Sequence, residues 1–241
     1  MSQQVKLTEF LGAARLQPYL DACDGDIQRA SNLYQWNMKL GGSLHTQISY
    51  VEIAARNAID VALANWNSKQ PHPGGSSNFG REWTIKEGLA NPLYSLIKTD
   101  LARARTGAAK EPENRHASHP RRLALPTHDD VVSHLTLGTW TKMFNDPNDL
   151  DRRDLLWNEA LCNAFPGSDQ SHAGRQKIGE KMETMRRLRN RAAHHDNVLG
   201  VVVAKRLNDM LSLLHDINAE FPTWAMAGSS LRRLMREDPR I

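Results

Sequence analysis

The sequence predicts an all-α fold, and three observations carry that expectation. Apolar residues recur at three- and four-residue spacing through most of the 241 residues, most cleanly from Leu44 to Trp66. Clusters of Gly, Pro, Ser and Asp fall between these periodic segments, where helices stop and start. No stretch alternates apolar and polar residues for long enough to read as a strand, and no internal repeat is present. One all-α domain over residues 1–241 is therefore expected, a bundle in which the two longest helices (44–66 and 172–195) pack together.

Residues Leu7 to Ala22 read as a short helix, and Gly25-Asp26 as a stop followed by a cap. A second helix runs through Ala30, Leu33, Tyr34 and Trp36 until Gly41-Gly42 interrupts it, and Ser43 can cap the next. In that third helix Leu44, Ile48, Val51, Ala55, Ile59, Ala62 and Trp66 form one apolar stripe. Glu52 and Arg56 stand at its edge one turn apart, an ordinary helix pair on physical grounds alone.

Gln70 to Gly80 is a Pro/Gly/Ser loop leading to a helix around Pro92–Arg105. The polar stretch 107–122, basic at its end, reads as a mobile loop. Asp129 to Leu137 forms a helix, Leu137-Gly138-Thr139-Trp140 follows it, and Trp140 reads as core. Asp149 to Phe165 is helical, with Asn148 as its cap after Pro147. Then come the long helix from His172 to His195, a partner helix from Val201 to Ala219, and a short amphipathic piece at Leu231–Leu234.

Composition narrows the classes of function. Hydrophobic residues make up 40% and charged residues 24%, an ordinary globular balance. Cys23 and Cys162 provide neither a disulfide framework nor a metal quartet, which suits a reducing compartment. The opening Met1–Glu9 lacks a signal-peptide core, and the longest apolar run, Val198 to Ala204, is far short of the ~20 residues that span a bilayer. A cytoplasmic protein without a membrane partner is expected. The net charge of +4 permits nucleic acid without requiring it. Its distribution is more telling: Arg175, Lys177, Lys181, Arg186, Arg187, Arg189 and Arg191 crowd the 172–195 helix against Glu180 and Glu183.

On that helix Ile178, Met182, Met185, Leu188, Ala192 and Ala193 share a broad apolar stripe. Arg189 falls inside the same stripe, roughly 20° from Ile178 at about 100° per residue. An uncompensated buried guanidinium costs several kcal/mol, so Arg189 calls for a carboxylate, another subunit or an anionic ligand. Asn190 and His194 are four residues apart on a neighbouring face. One reading is an amphipathic basic helix whose Arg snorkels and whose histidines cap its C-terminus. The other is a site that gathers a permanent cation, an amide and an imidazole. A metal centre at His194-His195 fails on geometry, because adjacent helical side chains diverge by about 100°. No cofactor is implied. The remaining histidines, including His116, His119 and His128, read as surface residues.

Arg189-Asn190-x-x-x-His194 resembles the Arg-polar-x-x-x-His signature of HEPN-domain ribonucleases. The longer Arg-Asn-x-x-Ala-His-His string is similar to that of Abi-like proteins, of the AbiD/AbiF abortive-infection type. An ordered series extends the resemblance over the N-terminal half: Arg15-Leu16, Gly25-Asp26, Leu33-Tyr34-Gln35-Trp36-Asn37 and Glu52-x-x-x-Arg56-Asn57-Ala58-Ile59. Leu137-Gly138-Thr139-Trp140 resembles the family's small-Gly-aromatic-Trp turn but lacks its phenylalanine, a departure that bears on packing more than on chemistry.

The resemblance implies a HEPN-like helical bundle with an N-terminal helical extension. It implies a metal-independent endoribonuclease whose composite site forms where two motif helices meet in a homodimer, acting in phage defence or as a toxin. In it Arg189 binds phosphate, His194 is the acid/base, and Asn190 positions His194. His195 is the fallback, and Glu52, Arg56, Lys181, Arg186, Arg187 and Arg191 are supporting or RNA-binding. The alternative is a non-cleaving protein associated with a structured small RNA, and the third reading is an all-α interaction module without chemistry.

Overall fold

The computed structural model describes residues 3–75, 77–86, 88–145 and 149–240. Every regular element among them is helical, the single β feature being an isolated bridge between Pro71 and Asn78. The all-α expectation holds. The chain divides into two compact units, each built from separate stretches: Met1–Tyr50, Arg187–Met210 and Thr223–Ile241 form the first, and Val51–Arg186 with Leu211–Pro222 the second.

Helices α1 (Gln3–Leu11) and α2 (Ala13–Asp21) replace the one helix expected over this region. Gly12 separates them at φ +78°, a left-handed conformation that glycine adopts without a Cβ penalty. Asp26 then caps α3 (Ile27–Asn67) as anticipated, its carboxylate accepting from the backbone N–H groups of Gln28 and Arg29 at 2.9 and 3.0 Å.

Helix α3 is 41 residues long and runs through Gly41-Gly42, where a break was expected. Two glycines cost a helix about 1 kcal/mol each relative to Ala. Burial on both sides offsets this, since Leu40 and Leu44 are both in the core. Within the first unit α3 is also tied by side chains to later segments. The Trp36 indole donates to the carbonyl of Leu234 at 2.8 Å, and the backbone N–H of Val198 donates to Asn37 Oδ1 at 2.9 Å. Leu234 lies on α11 (Leu231–Arg236).

In the second unit α4 (Leu93–Asn114) reaches two turns beyond its expected end, into the stretch read as a loop. Ala108 and Pro112 are buried there, and that burial overrides the poor propensity of Gly107. Helix α5 (His128–Ser133) starts from a capping box between Thr127 and Asp130. Leu137 to Trp140 are not a turn but the first turn of α6 (Leu137–Asn145), and Trp140 is in the core as expected. The helix expected over 149–165 is α7 (Leu150–Glu159) followed by a 3-10 turn at Leu161–Ala164. Its proposed cap Asn148, with Pro147, lies outside the described residues. Helix α8 (His172–Ala193) carries the motif, α9 (Val203–Ile217) follows, and α10 (Phe221–Met226) is a short helix the sequence reading had not placed.

His128 corrects the view of the scattered histidines as surface groups. Its side chain is largely enclosed, with Nε2 3.0 Å from Asp60 Oδ1 and Nδ1 2.8 Å from the buried Thr84 hydroxyl. The same Asp60 oxygen accepts from the Trp83 indole at 2.8 Å. An imidazole donating from Nε2 and accepting at Nδ1 satisfies every partner in this network. His116 and His119 are exposed.

Candidate functional site

The apolar stripe of α8 is real along most of its length: Ile178, Met182, Met185 and Leu188 are buried. Ala192 is only half-buried and Ala193 exposed, so the stripe opens to solvent in the last turn. Arg189, inside the stripe by spacing, is half-buried, and its Nη1 donates to Asn190 Oδ1 at 3.4 Å. Asn190 thus engages the cation beside it, where spacing had paired it with His194. Arg187, Arg191 and His194 are exposed on the same end of the helix.

The helix stops in a Schellman arrangement. The His194 N–H donates to the Asn190 carbonyl at 3.0 Å, completing the last turn. The His195 N–H then turns to Ala192 at 3.1 Å and the Asp196 N–H to Arg191 at 3.0 Å. His195 occupies the left-handed position, φ +54°, where glycine is usual. The two histidines therefore differ in kind. His194, just past Ala193, still makes a helical hydrogen bond; His195 is the reversal.

Not all the positive charge counted on this helix is available to a ligand. Arg175 is 1% exposed and serves the second unit, donating to Asp154 at 2.6 Å and to the carbonyl of Phe144. Burial pushes the Asp154 carboxyl up, but hydrogen bonds from His172 and Arg175 outweigh it and hold it below its ordinary value. Lys181 is bound to Asp216 at 2.6 Å and to Ser212 at 2.9 Å. Arg186 makes two bonds to Glu183, at 2.7 and 2.8 Å, which raise its already high pKa. Glu52 and Arg56 are half-buried in the second unit, and Arg56 Nε is enclosed without a hydrogen-bond partner. Among the described residues, no group of three or more His, Cys, Asp and Glu side chains is arranged to hold a metal ion. No helix among them is long and apolar enough to cross a membrane.

Met38 and Asp196, which the sequence reading did not single out, complete the surroundings. The end of α8 and the chain just beyond it, through Ala192, Ala193, His195 and Asp196, line a groove with Met38 and Gly41 of α3. Its signal in the sequence was the glycine pair, read there as a helix break.

Every regular element among the described residues is thus helical, and one helix carries Arg-Asn-x-x-x-His at its exposed end. A family model, Abi-like protein, matches residues 17–199. The chain belongs to the Abi-like family. Comparison with curated proteins and with solved structures gives no significant match. Family membership points to abortive infection, the phage-defence response, as the setting in which the protein acts.

Proposed function

We propose that the protein is a metal-independent endoribonuclease of a phage-defence or toxin system, with Arg189, Asn190 and His194 as its reacting set. The observation that carries this reading is the placement of an exposed imidazole about a turn and a half beyond a half-buried guanidinium, at a helix end that also exposes Arg187 and Arg191. A structural cap needs no such combination. RNA brings its own nucleophile, so the protein has only to position it, move two protons and stabilise charge.

The 2′-hydroxyl attacks the adjacent phosphorus, its proton passing to a neutral His194. The bond from phosphorus to the 5′-oxygen breaks, and that oxygen takes a proton from a second, protonated imidazole. The products are a 2′,3′-cyclic phosphate and a 5′-hydroxyl. One chain offers a single His194, so two copies of the motif in a homodimer supply the base and the acid. Arg189 holds the phosphate oxygens through paired hydrogen bonds as charge develops. Asn190, bonded to Arg189, aims that guanidinium.

The test is cleavage of RNA in EDTA by wild type and by His194→Ala, with product ends mapped and oligomeric state recorded. Cleavage leaving cyclic-phosphate ends in wild type, and its loss in the variant, supports the reading. If neither protein cleaves but both bind RNA with a steep salt dependence, the protein is a carrier of a structured RNA.

A further inference from the structure

The groove at the end of α8 holds about 270 Å³ within the first unit. Two locally unfavourable choices converge on it. The first is Gly41-Gly42 in the middle of a helix, at a cost of about 1 kcal/mol each. Neither glycine has a positive φ, and a Cβ built on either meets nothing within 4 Å. Backbone conformation and crowding therefore do not demand them. What they do is leave bare backbone facing open space, as where a ligand approaches closely. The second choice is His195 in the left-handed region, a conformation costing about 1 kcal/mol or more for a non-glycine and concentrated at functional positions. That reversal brings His195 and Asp196 to the rim, facing Met38 and His45 of α3.

We propose that this groove binds a guanine base of single-stranded RNA beside His194, with Asp196 reading the base. The choice of an RNA base as occupant rests on the ribonuclease reading above. Bare helix backbone and the Met38 thioether suit a flat ring, and the His45 and His195 imidazoles can stack on it or bond its edge. A carboxylate only accepts hydrogen bonds, so Asp196 disfavours a phosphate in the groove and selects a base by its donors. Guanine offers two neighbouring donors, N1–H and the N2 amine, which match the two carboxylate oxygens. Adenine and cytosine offer one amine and uracil one imide N–H. The phosphate then lies outside the groove, on the side where Arg187, Arg191 and His194 are exposed.

The experiment is titration of the whole protein with the four nucleoside 3′-monophosphates, by calorimetry or NMR, comparing wild type with Gly42→Leu and Asp196→Asn. Leucine fills the groove and favours the helix, so the variant keeps its fold; Gly41→Leu is a second blocking variant. Preferred binding of 3′-GMP is expected, weakened roughly tenfold or more in the blocking variants and losing its base preference in Asp196→Asn. Equal binding of all four nucleotides, no binding, or unchanged 3′-GMP binding in the variants overturns the proposal. Cleavage is read separately. A protein that binds 3′-GMP here but never cuts RNA keeps the groove and loses the nuclease. His194-dependent cleavage with the same cut sites in Gly42→Leu keeps the nuclease and loses the groove.

Discussion

The backbone N–H of Asp196 donates to the carbonyl oxygen of Arg191 at 3.0 Å, so the chain reverses immediately after His194. Two adjacent histidines are thereby given different places. His194 closes the last helical turn in solvent, and His195 turns toward α3.

Replacing His195 by glycine removes the left-handed penalty and keeps the reversal. His195→Gly is expected to raise stability by about 1 kcal/mol, measured by urea denaturation. RNA cleavage should persist in it if His194 carries the proton. Cleavage lost in His195→Gly but retained in His194→Ala would transfer that role to His195.

The Arg189 guanidinium is expected to act through its planar fork as well as its charge. Arg189→Lys keeps the cation but not the paired bonds, and single-turnover RNA cleavage should fall on the order of 10²-fold or more. Full activity in that variant would reduce Arg189 to a point charge.

Gly41→Ala and Gly42→Ala should each stabilise the protein, by about 0.5–1 kcal/mol, because α3 is continuous there and a Cβ meets open space. Destabilisation by either would mean that the helix is broken in solution.

Stability should fall at both ends of the pH scale for separate reasons. The Asp130 carboxyl is held well below its ordinary value, first by the Arg121 guanidinium and then by the Thr127 backbone N–H, against burial. A carboxyl lowered in the folded state contributes above its unfolded pKa of about 4 and loses that contribution as pH falls below it. Tyr19 is the opposite case: burial, then the neighbouring Tyr34, pushes its phenol up to about 12. The folded chain keeps a proton that the unfolded chain releases near pH 10, so stability is lost as pH rises from about 10 toward 12. Asp130→Asn should flatten the acid limb of a stability–pH curve, and Tyr19→Phe the alkaline limb.

Asp60 should prove structural. Removing it as Asp60→Ala strands the Trp83 indole and the His128 imidazole, at a cost of about 2 kcal/mol or more in urea denaturation. An unchanged midpoint would mean that solvent reaches both donors.

Periodicity alone was enough for the helices whose apolar stripes are long. Every position that the spacing marked in α3 from Leu44 to Trp66 and in α8 from Ile178 to Leu188 is buried, while Gln47, Leu63 and Ala64 are buried without having been marked. The cap at Asp26 and the core placement of Trp140 were legible for equally local reasons. Boundaries were not. Gly41-Gly42 reads as a stop in any local rule, and only the burial of Leu40 and Leu44 carries the helix through it.

The candidate site divides in the same way. Its residue types and their order are a property of the sequence, because a motif within two helical turns needs no distant partner to be recognised. What each cation is free to do is not. Arg175 and Lys181 look like any other cation of α8 in sequence, yet they are bound to Asp154 and Asp216, both distant along the chain. His128 looks like His116 until Asp60 and Thr84, far away along the chain, close around it. Local spacing determined the helices and the motif they carry. Tertiary structure decided which charges are spent on folding and where the groove lies, because partners distant in sequence meet only when the chain is folded.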